Sequence, residues 1–254
     1  MSIALFDLTG RRALITGSTR GIGRALAEGL AAAGATVVLN GRQADAVEQA
    51  AAEMRQQGFE VEVCAFDVRD TAAIDAGVAV IEAGGPIDIL INNAGIQRRS
   101  PLEAVEDEVW QEVIDVNLTA VFKVARAVAR PMLERERGKI VNICSLMSRL
   151  GRATTGPYTA AKGGVAMLTQ AMCTEWAGRG IQANGIGPGY FATELNQALV
   201  ENPEFDGWLR HRTPAGRWGR VEELVGAAIF LSSDASNFVN GQVIYVDGGV
   251  LAAL

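Results

Sequence analysis

The feature that most constrains this chain is an alternation. Short apolar, often β-branched runs recur at 12–16, 36–40, 61–65, 87–92, 139–144, 181–186 and 242–246. Helical periodicity fills the stretches near 22–33, 44–57, 71–83, 106–134, 157–178 and 222–231. Strand and helix taken in turn build a parallel sheet with helices on both faces. The strands read as unbroken apolar runs rather than in–out alternation, as strands buried on both faces do. One segment breaks the rhythm. From 188 to 217, Pro188, Gly189, Pro203, Gly207, Pro214 and Gly216 punctuate the apolar Tyr190, Phe191, Leu195, Leu199 and Trp208. A long excursion with a short helix is expected there, long enough to serve as a lid. The expected architecture is α/β: a single domain over 1–254, built on a seven-stranded, mostly parallel, doubly wound sheet.

Composition removes several classes of function. Hydrophobic residues make up 49% of 254, enough for a substantial core. A net charge of −6 and an isoelectric point near 5.0 speak against nucleic acid as the main partner. Cys64, Cys144 and Cys173 lie far apart without a C-x-x-C spacing, which fits a reducing compartment and offers no disulfide framework. With His211 the single histidine, no metal site is expected; His211 itself reads as a loop residue. The opening MSIALFDLTGRR has no basic region followed by a long apolar run, and no stretch approaches ~18 uninterrupted apolar residues. A cytoplasmic location without membrane contact is the expectation.

The chemistry begins where the first strand runs into Thr16-Gly17-Ser18-Thr19-Arg20-Gly21-Ile22-Gly23. Glycines at a strand-to-helix turn let the backbone approach a pyrophosphate, and the helix N-terminus supplies N–H groups and a positive dipole. The spacing G-x-x-x-G-x-G departs from the G-x-G-x-x-G fingerprint. After the third strand, the Asp67 carboxylate of Asp67-Val68 could accept from an adenine amino group or cap the following helix. Asn92-Asn93-Ala94-Gly95 closes the fourth strand with small residues that would admit a ribose. Ser145 stands just past the fifth strand, at the end of the sheet where ligands bind in open α/β folds. Tyr158 and Lys162 follow, four apart and so on one helix face. A phenol with a pKa near ~10 is a poor base at neutral pH. A neighbouring ammonium would bring it toward the working range, which is what moving a proton to or from a carbinol oxygen requires.

Together these residues resemble the short-chain dehydrogenase/reductase family. The match runs over about residues 7–250: TGSTRGIG at 16–23, NNAG at 92–95, Asn117 within DVNLTAVF, Ser145, Tyr158-Thr-Ala-Ala-Lys162, and Pro188-Gly189 followed by Thr193. The resemblance implies a Rossmann fold with strand order 3-2-1-4-5-6-7 and nicotinamide-dependent redox chemistry. It implies Tyr158 as acid/base, Lys162 lowering its pKa and holding the nicotinamide ribose, Ser145 on the substrate oxygen, and Asn117 holding a water in a proton relay. Ile186, Pro188, Gly189 and Thr193 would border the nicotinamide.

The second strand ends Leu39-Asn40-Gly41-Arg42 with no acid at 39–43, where NAD-binding members tend to place Asp. Arg20 and Arg42 converge on the same predicted spot, so the expected cofactor is NADP rather than NAD. Arg98 and Arg99 follow the fourth strand and Arg152 follows the fifth, a cationic set suited to a sugar-acid carboxylate. What the resemblance implies, over stretches such as 95–99, 150–152 and 212–219, is a sugar-acid substrate, and the expected reaction is reversible reduction of 5-keto-D-gluconate to D-gluconate, with Arg99 slightly favoured over Arg98 as the clamp. Competing readings are another carbonyl substrate (a 2-deoxygluconate-type keto acid, a 3-oxoacyl thioester or a simple ketone) and a nucleotide-binding sensor without turnover. Trp110, Trp176, Trp208 and Trp218 read as packing residues, the last two lying nearest the lid. The stretch 106–134 is apolar around much of its circumference, and Ala160, Ala161, Gly163, Gly164 and Ala166 permit close approach. With the apolar tail Val250–Leu254, these features lead to the expectation of a homotetramer.

Overall fold

In β1 (Arg12–Ile15), Ala13 and Ile15 turn to one face of the sheet and Leu14 to the other, and all three are buried. Val37 and Leu39 against Val38 repeat this in β2 (Thr36–Leu39). Successive side chains on a strand point to opposite faces, so a sheet covered twice needs apolar residues at every position. The remaining strands are β3 (Val61–Val63), β4 (Ile89–Asn92), β5 (Gly138–Ile143), β6 (Ile181–Pro188) and β7 (Val243–Val246). Their order is β3-β2-β1-β4-β5-β6-β7. Every pairing is parallel, so the sheet is wholly rather than mostly so. The computed structural model describes residues 4–253; Met1–Ile3 of the opening segment and Leu254 of the apolar tail lie outside the described residues.

The α-helices are α1 (Gly21–Ala32), α2 (Ala44–Gln56), α3 (Thr71–Gly84), α4 (Asp107–Ile114), α5 (Ala120–Glu134), α6 (Gly156–Trp176), α7 (Gln197–Val200), α8 (Pro203–Arg212) and α9 (Val225–Ser232). Leu26, Leu30, Met54 and Leu231 bring α1, α2 and α9 onto one face of the sheet. Ile74, Val78, Val124, Val128 and Met172 bring α3, α5 and α6 onto the other. The chain winds outward from β1 to β3 and returns to β4 on the far side of β1. The strand order therefore reverses between β1 and β4, which opens a crevice at their carboxyl ends. Among the described residues no helix is long and apolar enough to cross a membrane.

The single helix expected over 106–134 is interrupted. Asp115–Thr119 form a π-helical segment between α4 and α5. Asn117 Nδ2 donates to the Val113 carbonyl at 2.9 Å, four residues back, so a side chain competes with the backbone ladder. Apolar periodicity carries no sign of this. Of the residues expected to be apolar all round, Val113, Val116, Val121, Val124, Val128 and Met132 are buried within the chain, whereas Trp110 and Phe122 are exposed. Gly164 serves the chain itself: a Cβ there would come within 2.9 Å of Leu118 Cδ2. His211 lies in the last turn of α8 rather than in a loop, a position that favours cationic side chains.

Asp67 does not cap α3. That work falls to Asp70, whose carboxylate accepts from Ala72 N at 2.9 Å and Ala73 N at 3.1 Å. Asp70→Ala should cost about 1 kcal/mol and lower the melting temperature by roughly 2–4 °C. Turnover should be unchanged, which thermal scans and steady-state assays on the same preparation would check.

Candidate active site

At the end of β1 the chain turns through Gly17 at φ +63° and Gly21 at φ +57°, left-handed conformations that glycine adopts without a Cβ clash. A Cβ on Gly17 would stand 2.9 Å from Ala94 Cα, and one on Gly23 would stand 2.4 Å from both Gly17 O and Asn93 Nδ2. The two loops that flank the crevice touch through these glycines. α1 then starts after Arg20 with no side chain capping it, so its first N–H groups face the crevice unmet. Ser18 looks inward instead. Its hydroxyl donates to Ile15 O at 2.8 Å, its N–H donates to Asn40 O, and it is wholly buried, so it shapes the turn rather than lining the crevice. Asn93 is likewise engaged, with Nδ2 donating to Thr16 O at 3.0 Å and Gly17 O at 2.9 Å. Thr16, which the sequence did not single out, accepts from the N–H groups of Asn93 and Ala94.

Charges around the turn sort themselves by partner. Arg20 pairs with Glu194 on the segment after β6. Asp67 accepts from Arg69, which holds its carboxyl below the usual range. Arg42 is exposed and has no ion pair among the described residues. Asn40 Nδ2 donates to Cys64 O and Phe66 O, while its buried Oδ1 has no partner. Unmet N–H groups at a glycine turn, a free guanidinium and an orphaned amide oxygen are a donor and acceptor set that fits a dinucleotide with an extra phosphate.

Across the crevice, α6 places Tyr158 and Lys162 against the end of β5. Lys162 is 4% exposed, and its Nζ donates to Ile143 O at 2.6 Å. Ser148 Oγ donates to Lys162 O at 2.7 Å and accepts from Ser145 N at 3.3 Å, tying the Ser145 turn to the helix. Ser145 Oγ accepts from Met147 N at 3.1 Å, and the Ser145 side chain stands near enough to the Tyr158 phenol to favour its ionised form. Asn117 is fully committed as well. Its Nδ2 donates to Ile96 O and Val113 O, and its Oδ1 accepts from Ile96 N. Both amide hydrogens are spent, so the side chain braces the loop after β4 and has no donor left for a water.

Beyond β6 the chain makes its excursion through α7 and α8. Gly189 lies flat on Asp247, where a Cβ would come 2.6 Å from Asp247 Cα; Thr193 begins a short turn with its hydroxyl bonded to no group of that turn. Of the three expected arginines, Arg98 is taken by Glu112 at 3.1 Å on the surface. Arg99 lies within electrostatic reach of Arg152 and Tyr190, and neither arginine has a carboxylate partner among the described residues. Arg99 is exposed, yet enough of it is covered that desolvation lowers its pKa, and the like charge of Arg152 acts in the same direction. Gln97 Oε1, on the same loop, is buried without a partner. Composition gave no signal for Gln97; the density of aromatics after β6 was the one available hint of Tyr190's surroundings.

Residues 11–204 match the short chain dehydrogenase family model. The chain belongs to the short-chain dehydrogenase family. It is 57% identical to the gluconate 5-dehydrogenase of Gluconobacter oxydans (strain 621H), over 98% of each chain. It is 53% identical to the 5-keto-D-gluconate 5-reductase of Escherichia coli (strain K12), over 98% of this chain and 99% of that one. A solved gluconate 5-dehydrogenase from Burkholderia cenocepacia J2315, in complex with NADP and tartrate, superposes with a TM-score of 0.97 at 56% identity, covering 99% of both chains.

In this member of the family, burial governs the ionisation of the site. Desolvation raises the Tyr158 phenol above its ordinary value, against the opposing influence of the neighbouring Ser145 side chain. The expected depression by Lys162 is therefore not the net effect. The ammonium is itself buried, bonded to Ile143 O, and 5.7 Å from the centre of the Tyr158 ring. Desolvation lowers Lys162 to about 8. A buried cation of this kind destabilises the fold while it is charged, fully below pH 8, and the penalty is relieved as pH rises toward the ordinary lysine value near ~10.4. The stability of the wild type relative to Lys162→Met should stay level up to about pH 8, then rise by roughly 3 kcal/mol toward pH 10.5. Lys139, also held near 8, titrates in both proteins and cancels. Paired melting curves across that range check the slope; a flat difference would contradict it.

Proposed function

We propose that the chain catalyses the reversible reduction of 5-keto-D-gluconate to D-gluconate with NADP(H). The observation that carries the substrate reading is the pair Arg99 and Arg152, two guanidiniums left without carboxylates beside Tyr190, on the loops leaving β4 and β5. Like charges gather without counterions where an anion is to be held. The gluconate and ketogluconate names of the relatives support the same reading.

NADPH, when bound, supplies the hydride. In this reading Gly17, Thr19, Gly21, Ile22 and Gly23 cradle its pyrophosphate, Arg42 takes the 2′-phosphate, and Asp67 and Val68 border the adenine. Asn93, Ala94 and Gly95 admit the ribose, and Pro188, Gly189 and Thr193 flank the nicotinamide. NADP in the Burkholderia enzyme's complex supports that choice of cofactor. Ser145 holds the substrate carbonyl, and Tyr158 gives its phenolic proton to that oxygen as the carbon receives the hydride, so C=O becomes CH–OH. Lys162 holds the nicotinamide ribose and stabilises the phenolate left behind. Asn117 serves by fixing the loop that carries Arg99. Residues 188–217 act as the lid of a single domain spanning 1–254. The exposed Trp110, Phe122 and Met167 support a homotetramer joined through α4, α5 and α6, and the reading takes the protein as cytoplasmic.

The test is a panel of keto acids and uncharged ketones with NADPH and NADH, followed at the nicotinamide absorbance. Efficient turnover of 5-keto-D-gluconate with NADPH is expected; good activity on an uncharged ketone with none on the keto acid would overturn the reading. Arg99→Ala should raise KM for the keto acid strongly and leave KM for NADPH nearly unchanged. Tyr158→Phe should abolish turnover yet still bind NADPH, as fluorescence titration would show. Arg42→Asp should shift kcat/KM toward NADH by at least about tenfold, because a charge-assisted contact is worth ~1.5–3 kcal/mol.

A further inference from the structure

Arg152 has no acidic partner among the described residues, yet it is not adrift. Its guanidinium carbon lies 4.4 Å from the centre of the Phe205 ring, on α8. Phe205 is held in turn by three other rings. Tyr190 meets it edge-on at 5.7 Å, Trp208 lies tilted at 5.1 Å and Trp218 at 6.1 Å. The next residue, Asp206, accepts from Trp218 Nε1 at 2.7 Å and from Arg210 Nε at 2.8 Å. This end of α8 is thus fastened to the chain returning from the excursion. A guanidinium stacked on a ring loses little freedom when it later binds a carboxylate, and stacking leaves its N–H edge free for a two-pronged contact.

We propose that Phe205 is a positioning residue for substrate recognition: its ring holds Arg152 beside Arg99, so that the two guanidiniums form one preformed site for the carboxylate of a sugar acid. The inference rests on the substrate reading given above. Phe205 touches neither the reacting carbon nor the cofactor in this scheme. Its effect falls on how well an anionic substrate is told from a neutral one of similar size, and on KM rather than kcat.

The experiment compares Phe205→Leu, Phe205→Trp, Arg152→Ala and the double variant Arg152→Ala/Phe205→Leu with 5-keto-D-gluconate and with an uncharged ketose. Phe205→Leu should raise KM for the keto acid about three- to fivefold, the size expected of a partly exposed cation–π contact. Its kcat should stay within about twofold, and kcat/KM for the ketose should not change. Phe205→Trp, which restores a ring face, should return KM to the wild-type range. The double variant should be no worse than Arg152→Ala, because the ring acts through the arginine. If Phe205→Leu fails to fold, Phe205→Met keeps the bulk without the ring and carries the same expectation. An unchanged KM, an equal loss on the ketose, or fully additive losses in the double variant would overturn the proposal. Were Arg152→Ala and Arg99→Ala both to bind the keto acid normally, the carboxylate site itself would fall, and this inference with it. A loss in Arg152→Ala without one in Phe205→Leu sinks the positioning role alone.

Discussion

The hydrogen bond from Lys162 Nζ to Ile143 O, at 2.6 Å, is the contact on which the rest of the site depends. Taking an ammonium out of water is costly, and a bond to a fixed carbonyl at the end of β5 offsets part of that cost. The same bond pins α6 to the sheet at one point. Tyr158 lies one turn earlier on α6 and is thereby delivered to Ser145, which leaves the same strand. A buried polar ladder underneath keeps the helix from sliding: Asn92 Nδ2 donates to Asn142 Oδ1, and Asn142 Nδ2 donates to Thr169 Oγ1, both at 2.9 Å. Buried polar groups must be paired in a defined geometry, so this ladder fixes register where apolar packing alone would tolerate small shifts.

Charge in the crevice follows from which arginines find acids. Arg98 meets Glu112, Arg69 meets Asp67, and Arg20 meets Glu194. Arg42, Arg99 and Arg152 meet none among the described residues. A chain with a net charge of −6 therefore keeps unneutralised cations at the two ends of its cleft. In the proposed reading one set takes a phosphate and the other a carboxylate. Between them the reacting groups are desolvated, which strengthens each remaining electrostatic contact.

What the sequence made legible was whatever depends on local pattern. Strand positions, the glycine turn and the Tyr158–Lys162 spacing rest on periodicity or fixed offsets, and each appears in the fold within a residue or two. What escaped depends on which group each side chain finds once the chain is folded, near or far in sequence. Nothing near Asn117 announces that its amide will take Val113 O and bend a helix into a π segment. Nothing near Ser18 shows that its hydroxyl will turn inward to Ile15 O. Arg98 and Arg99 are neighbours with the same side chain, and only Glu112, on α4, separates their roles. The upward shift of the Tyr158 phenol was also hidden, because burial is a property of the assembled cleft and not of a four-residue spacing.

In the proposed reaction NADPH gives a hydride to C5 of a six-carbon keto acid while the Ser145–Tyr158–Lys162 site gives one proton to the C5 carbonyl oxygen. Reducing 5-keto-D-gluconate with NADPH dideuterated at the nicotinamide C4, and reading the product by proton NMR, tests it directly. The expected product is D-gluconate carrying a single deuterium at C5. Deuterium at another carbon, or no reduction of this substrate while another carbonyl is reduced, would contradict it.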